Sequence, residues 1–386
     1  MRPVFGTQEI TEDRYKSSLD ALARDGRLRR LSPRTGLDFS SNDYLALADA
    51  PRMKQAVIAA IEAGTPIGAG GSRLLRGNCE EHERLEREAA RFFGTQTALF
   101  FSSGYTANFA VLATLAQRGD LIVMDALVHA SIREGANASR ANKCESLHND
   151  AGSVDAVIRQ WRADGGKGRP WIVVESIYSM DGDVAPLKDL IAVADQHDAF
   201  LMVDEAHATG IYGEQGRGLA AALEGRENLV VVHTCGKALG AAGALVTMTS
   251  TLRDFIVNRA RVFIFATAPS PLMAVAVSEA LKILQDEPER RECLAALVEF
   301  AGKEIAARGW RASGSQIVPY IVGNNARTMA LAEALQERGF DIRGIRPPTV
   351  PAGTARLRIS FTLNVTQDSV RAMLDALSEE ALRIAA

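Results

Sequence analysis

Between about residues 50 and 250 the chain alternates short apolar runs with helical stretches, and no other feature narrows its folds as much. The runs Ala98–Ser102, Leu121–Asp125, Trp171–Glu175, Phe200–Asp204, Leu229–His233 and Ala244–Thr247 read as strands. Most are continuously apolar, as a strand covered on both faces requires. Helical patterns such as Glu80–Phe93 and Leu187–Gln196 lie between them. This alternation predicts an α/β fold with a mostly parallel central sheet. In such sheets functional residues gather at the carboxyl ends of the strands. Here those ends are polar: Ser102–Ser103–Gly104, Asp125, Glu175, Asp204 and His233–Thr234.

The pattern changes after about residue 270. Pro271–Asp286 and Arg290–Arg308 read as long helices, followed by short strands (Ile317–Val322, Phe340–Ile342, Arg356–Ser360) and a last helix, Gln367–Arg383. At 386 residues the chain exceeds the roughly 250–300 that one core supports. We therefore expect an amino-terminal helical segment (1–45), a large domain (46–270) and a smaller α+β domain (271–386). Within the first segment, residues 7–30 read as an amphipathic helix ending in Arg27, Arg29 and Arg30. Arg346–Gly353, rich in Pro and Gly, reads as a shaped loop.

Composition excludes several classes. Hydrophobic residues at 47% and charged residues at 24% are those of a globular protein, not a disordered or fibrous one. A net charge of −3 lacks the basic excess of a nucleic-acid protein. No apolar run approaches the roughly 20 residues that span a membrane, and Met1–Thr11 has no signal core. Four scattered cysteines without a CxxC pair read as reduced thiols, so a cytoplasmic location is expected.

Some motifs mislead. Asp204–Glu205–Ala206–His207 spells a helicase box, yet no GxxxxGK[ST] loop accompanies it. Ser102–Ser103–Gly104 is not a hydrolase elbow, and no HExxH or Cys/His cluster supports a metal site. The glycines of Gly68–Gly71 do not follow a strand, so they are no dinucleotide fingerprint.

Lys237 stands just after an apolar strand, among Gly236, Ala238, Gly240, Ala241, Ala242 and Gly243. Small neighbours let a flat cofactor approach an imine-forming lysine, and partial desolvation helps its amine lose a proton. Alone, such a lysine is more often a surface residue. Asp204, at a strand end, is either a cap or the partner of a pyridinium nitrogen. His207, three residues on, can face the same pocket, and His129 could stack on a flat ring. Ser102–Ser103–Gly104–Tyr105 can offer backbone N–H groups and a helix N-terminus to a phosphate.

Together these residues resemble the α-oxoamine synthases, pyridoxal-phosphate enzymes of the aspartate aminotransferase-like fold type I. The matching stretches are Phe39–Leu45, Gly68–Gly77, Glu175–Asp183, Val203–His207, Thr234–Gly240 and Ile345–Arg358. The resemblance runs from about Asp38 to Ala376. It implies that Lys237 carries pyridoxal 5'-phosphate as an imine and later acts as the base. Asp204 would pair with the pyridine nitrogen, His207 with the ring hydroxyl, and His129 would stack over the ring. Gly104, Tyr105 and Thr234 would hold the phosphate, with Thr267 contributed across a homodimer interface. Ser179 matches a position near the cofactor, and Glu175 one behind it. Asn42 and Arg358 match positions that hold the amino-acid carboxylate, and Thr349 a further substrate contact.

Ile345–Arg358 and Gly68–Gly77 favour the biotin-pathway branch of the family. That branch condenses L-alanine with a pimeloyl thioester, on coenzyme A or an acyl-carrier protein, releasing CO2 and thiol. The competing readings are glycine C-acetyltransferase, 5-aminolevulinate synthase or serine palmitoyltransferase-like activity, a plain aminotransferase, and a cofactor-binding regulator. Ala208 and Ser360–Asn364 depart from the family pattern, and Arg27, Arg29 and Arg30 are candidates to read the distal acyl end.

Overall fold

A computed structural model describes residues 12–385. Along the chain run α1 (Asp13–Arg24), β1 (Leu37–Asp38), α2 (Pro51–Glu62), α3 (Glu80–Phe93), β2 (Thr97–Phe101), α4 (Gly104–Leu115), β3 (Leu121–Asp125), α5 (Ala130–Ala138), β4 (Asn142–Ser146), α6 (Ala151–Ala163) and β5 (Pro170–Glu175). They are followed by α7 (Leu187–Gln196), β6 (Phe200–Asp204), β7 (Leu229–Thr234), β8 (Ala244–Met248), α8 (Ser250–Arg259), α9 (Arg261–Ile264), α10 (Pro271–Asp286) and α11 (Glu289–Ala307). The chain closes with β9 (Ile317–Gly323), α12 (Asn325–Glu337), β10 (Phe340–Asp341), β11 (Arg343–Ile345), β12 (Ala355–Ser360) and α13 (Gln367–Ala385). The part of the expected leading helix at residues 7–11 lies outside the described residues.

The chain divides into two units. The larger comprises residues 41–318 and 360–367. Its centre is a seven-stranded sheet in the order β2-β8-β7-β6-β5-β3-β4. The pairs from β7 through β4 are parallel, and β8 runs antiparallel to both of its neighbours. The fold is α/β, as expected. Side chains of one strand alternate between two cores. Ile122, Met124, Trp171, Val173 and Met202 pack with residues of α4, α5 and α8. Leu121, Val123, Ile172, Val174 and Leu201 pack with α6 and α7. Burial on both faces is why these strands are continuously apolar.

Helices α10 and α11, expected in the carboxy-terminal domain, lie in the larger unit. Ala274, Val277, Leu281 and Leu294 share a core there with Leu85, Phe93 and Leu239. The smaller unit comprises described residues 12–40, together with 319–359 and 368–385. It holds the parallel β1–β10 pair and most of a three-stranded sheet ordered β11-β12-β9.

Three strands fall outside the expected set: the short β1 and β11 and, in the seven-stranded sheet, β4. β4 reads Asn-Lys-Cys-Glu-Ser and only its last residue is buried. It is an edge strand, and an edge has no second neighbour to select apolar residues.

Candidate active site

Because only β8 is reversed, the carboxyl ends of β2, β5, β6 and β7 and the start of β8 share one edge of the sheet. The register sets Glu175 beside Asp204 and Thr234 beside Ala244. At this edge lies a cavity of about 370 Å³. Its lining includes Gly104, Tyr105, His129, Asp204, His207, Thr234 and Lys237, so seven of the expected site residues come together. A larger groove of about 660 Å³, bordered by Arg73, Glu86, Arg87 and Arg253, contains none of them.

Each wall has a local cause. Ser103 caps α4, its Oγ accepting from Thr106 N at 3.1 Å. The cap turns the first N–H groups of a 12-residue helix toward the cavity at Gly104 and Tyr105. A Cβ on Gly104 would stand 2.4 Å from Thr234 Cγ2, so only glycine leaves this corner open. The loop carrying Lys237 is closed by Cys235 N donating to Gly243 O (2.8 Å) and Ala241 N donating to Cys235 O (2.9 Å). Gly243 adopts φ +112°, and a Cβ there would meet the Phe100 ring at 2.4 Å.

Asp204 is held at both oxygens. Oδ1 accepts from Ala206 N at 2.9 Å, and Oδ2 from Asn108 Nδ2 at 2.7 Å. The same Asn108 amide donates to Ser131 Oγ at 2.9 Å. Ser131 in turn meets His129 Nδ1 through its hydroxyl (2.8 Å) and its backbone N–H (3.2 Å). Nδ1 of His129 is therefore an acceptor, and its proton sits on Nε2. Lys237 Nζ lies 3.0 Å from His207 Nε2.

Glu175 is fully buried beside Asp204. Burial first, then the charge of Asp204, push its carboxyl up to about 8. Oε2 accepts from Ser179 N at 3.2 Å. Among the described residues Oε1 has no hydrogen-bond partner, and neither has Thr234 Oγ1.

These features fit pyridoxal phosphate. The Gly104 corner, with its helix N-terminus and unpartnered Thr234 hydroxyl, suits a phosphate ester. The doubly held Asp204 carboxylate suits a protonated ring nitrogen. A half-buried lysine, Lys237, lines the same cavity.

Other expected residues lie elsewhere. Ser179 is buried behind Glu175 and does not line the cavity. Thr267 is exposed and does not line it either. Asn42 reaches the site through Tyr44, whose hydroxyl donates to Asn42 Oδ1 at 3.0 Å and meets His207 Nδ1 at 2.7 Å. Thr349 and Arg358 belong to the smaller unit. There Arg29 donates to Thr349 Oγ1 at 3.2 Å, and Arg358 is buried on β12. Asn108, Ser131 and Tyr44 were not singled out from sequence. An amide inside the apolar face of α4, one turn after Gly104, was the available sign for Asn108.

Comparison with known proteins bears on this geometry. The aminotransferase class I and II family model matches residues 34–377, and the chain belongs to that family. A curated 8-amino-7-oxononanoate synthase of Burkholderia thailandensis is 46% identical over 333 residues, covering 84% of this chain and 83% of the relative. One from Citrifermentans bemidjiense is 41% identical, covering 91% and 90%. Within the family the chain thus groups with the 8-amino-7-oxononanoate synthases, which are acyltransferases. Among solved structures, a serine palmitoyltransferase from S. paucimobilis with a bound PLP–myriocin aldimine superposes with TM-score 0.87 at 27% identity, covering 97% of this chain and 98% of that one. The 8-amino-7-oxononanoate synthase of Francisella tularensis superposes with TM-score 0.76 at 28% identity, covering 90% and 98%. Among the described residues no helix is long and apolar enough to cross a membrane.

Proposed function

We propose that this chain is a pyridoxal-phosphate acyltransferase of biotin biosynthesis. It condenses L-alanine with a pimeloyl thioester to give 8-amino-7-oxononanoate, CO2 and free thiol. The observation that carries the reading is one cavity uniting the Lys237 amine, the doubly held Asp204 carboxylate and the Gly104 helix N-terminus, in a chain 46% identical to a named 8-amino-7-oxononanoate synthase.

When bound, the cofactor supplies an electron sink for the negative charge left at the amino-acid α-carbon. The chain's residues do the rest. Lys237 would hold the cofactor through its amine, and its Nζ is the group that would take the α-proton. Asp204 keeps the ring nitrogen protonated by holding a negative charge against it. Gly104, Tyr105 and Thr234 would hold the phosphate, and His129 would stack on the ring. His207 Nε2 faces Lys237 and serves the ring hydroxyl. Asn42 and Arg358 orient the carboxylate, Arg358 through two parallel charge-assisted bonds. Thr349 contacts substrate, and Ser179 and Glu175 support the floor. Thr267 completes the phosphate site of a partner subunit in a cytoplasmic homodimer.

The likeness to serine palmitoyltransferase keeps a second α-oxoamine synthase activity in view. Thiol release from pimeloyl-CoA with L-alanine, glycine or L-serine decides between them, with acetyl-, succinyl- and palmitoyl-CoA as rival donors and pimeloyl-acyl-carrier protein as the alternative one. Release with L-alanine and a pimeloyl donor alone is expected. Release with another pair only would reassign the substrate.

A further inference from the structure

A chain of hydrogen bonds leads from the cavity to Asn42. Lys237 Nζ is 3.0 Å from His207 Nε2, His207 Nδ1 is 2.7 Å from Tyr44 Oη, and Tyr44 Oη is 3.0 Å from Asn42 Oδ1. Tyr44 is fully buried and His207 nearly so. The bonds have a direction. An amide oxygen only accepts, so the one phenolic proton lies between Tyr44 and Asn42. The Tyr44 oxygen then accepts from His207 Nδ1–H. A neutral imidazole has a single N–H, so Nε2 keeps its lone pair toward Lys237.

The opposite polarity would have Tyr44 donate to His207 Nδ1 and leave Nε2–H facing the cavity. It requires Tyr44 to withdraw its proton from Asn42. Asn42 and His207 therefore compete for one proton. The turn that carries Tyr44 is fixed without its hydroxyl. Asp43 Oδ1 accepts from Leu47 N at 2.9 Å, and Tyr44 O accepts from Leu363 N at 3.0 Å. Tyr44 belongs to the same buried core as Leu45, Leu47 and Leu239.

We propose that Tyr44 is a positioning residue that sets the tautomer of His207 and so couples Asn42 to the ring nitrogen facing Lys237. That Asn42 meets the substrate carboxylate rests on the function proposed above; the tautomer claim does not.

The test is the 15N spectrum of histidine-labelled, ligand-free protein, with His207 assigned by its loss in His207→Asn. In the Lys237→Ala background, where no ammonium donates to Nε2, the protein with Tyr44 should show Nδ1 protonated and Nε2 bare, and Tyr44→Phe a mixture of both tautomers. The same tautomer in both proteins would overturn the proposal. In the holoenzyme, Tyr44→Phe should raise the KM for the amino acid about threefold to tenfold, the worth of one hydrogen bond. The KM for the acyl thioester should hold. In the His207→Asn background Tyr44→Phe should add nothing further, and additive effects would contradict an action through His207. Failure of the protein to take up pyridoxal phosphate would count against the proposed function and leave the tautomer result to stand or fall alone.

Discussion

Asn108 Nδ2 donates to Asp204 Oδ2 at 2.7 Å, and the two residues are 96 positions apart. This bond ties the first helix after β2 to the end of β6. It also links Asp204 to His129 through Ser131. Replacing Asn108 by Leu leaves a buried carboxylate oxygen without its donor, a loss of about 1–3 kcal/mol. The expected outcome is weaker cofactor binding, by about tenfold or more, read by equilibrium dialysis of pyridoxal phosphate. Unchanged affinity would show that Asp204 does not need this bond.

Gly104→Ala tests the phosphate corner. The added methyl would fall 2.4 Å from Thr234 Cγ2. Affinity for pyridoxal phosphate should drop, whereas affinity for pyridoxal, which lacks the phosphate, should change much less. Equal losses for both would place the phosphate elsewhere.

Glu175 makes the ligand-free protein pH-sensitive. Its carboxyl, raised by burial and then by Asp204, titrates near 8 in the native chain, against about 4.3 when unfolded. Between those values the native state binds more protons than the unfolded one, so this group lowers stability as pH rises, and the loss is complete above about 8. Urea midpoints of wild type and Glu175→Gln, taken at pH 5, 7 and 9, should diverge in favour of the variant. Parallel midpoints would contradict a protonated Glu175.

His148 should show the same sign from the opposite cause. Burial works against its charge, but Asp125 (2.8 Å) and Asp183 (2.7 Å) overcome it and raise the imidazole to about 10. Asn149 also donates to Asp183, and the Tyr178 ring stands edge-on to the imidazole. With the folded pKa above the unfolded value, the stabilisation is full below about 6.5. It is lost as pH rises through about 10. The urea-midpoint advantage of wild type over His148→Gln should shrink across that window, and a constant difference would mean the ring is neutral.

Much of this was legible because burial on both faces forces apolar strands, and because strand ends with Ser, Asp, Glu and Thr are hard to explain by packing. β2, β3, β5, β6, β7 and β8 were all marked within a residue or two. β4 was not, since an exposed edge accepts Asn, Lys and Glu. The placement of α10 beside Leu85 and Phe93 depends on contacts some 190 residues apart in sequence, which periodicity does not encode. The same holds for Tyr44 and His207, 163 positions apart. Each residue type was visible, but the proton they share exists only in the folded chain.

The most direct test of the account is where the cofactor attaches. Protein reconstituted with pyridoxal phosphate is reduced with borohydride, digested and analysed by mass spectrometry. The account predicts one modified peptide, with the reduced cofactor on Lys237, and no such peptide from Lys237→Ala. A reduced adduct on another lysine, or none on the wild-type chain, would contradict it.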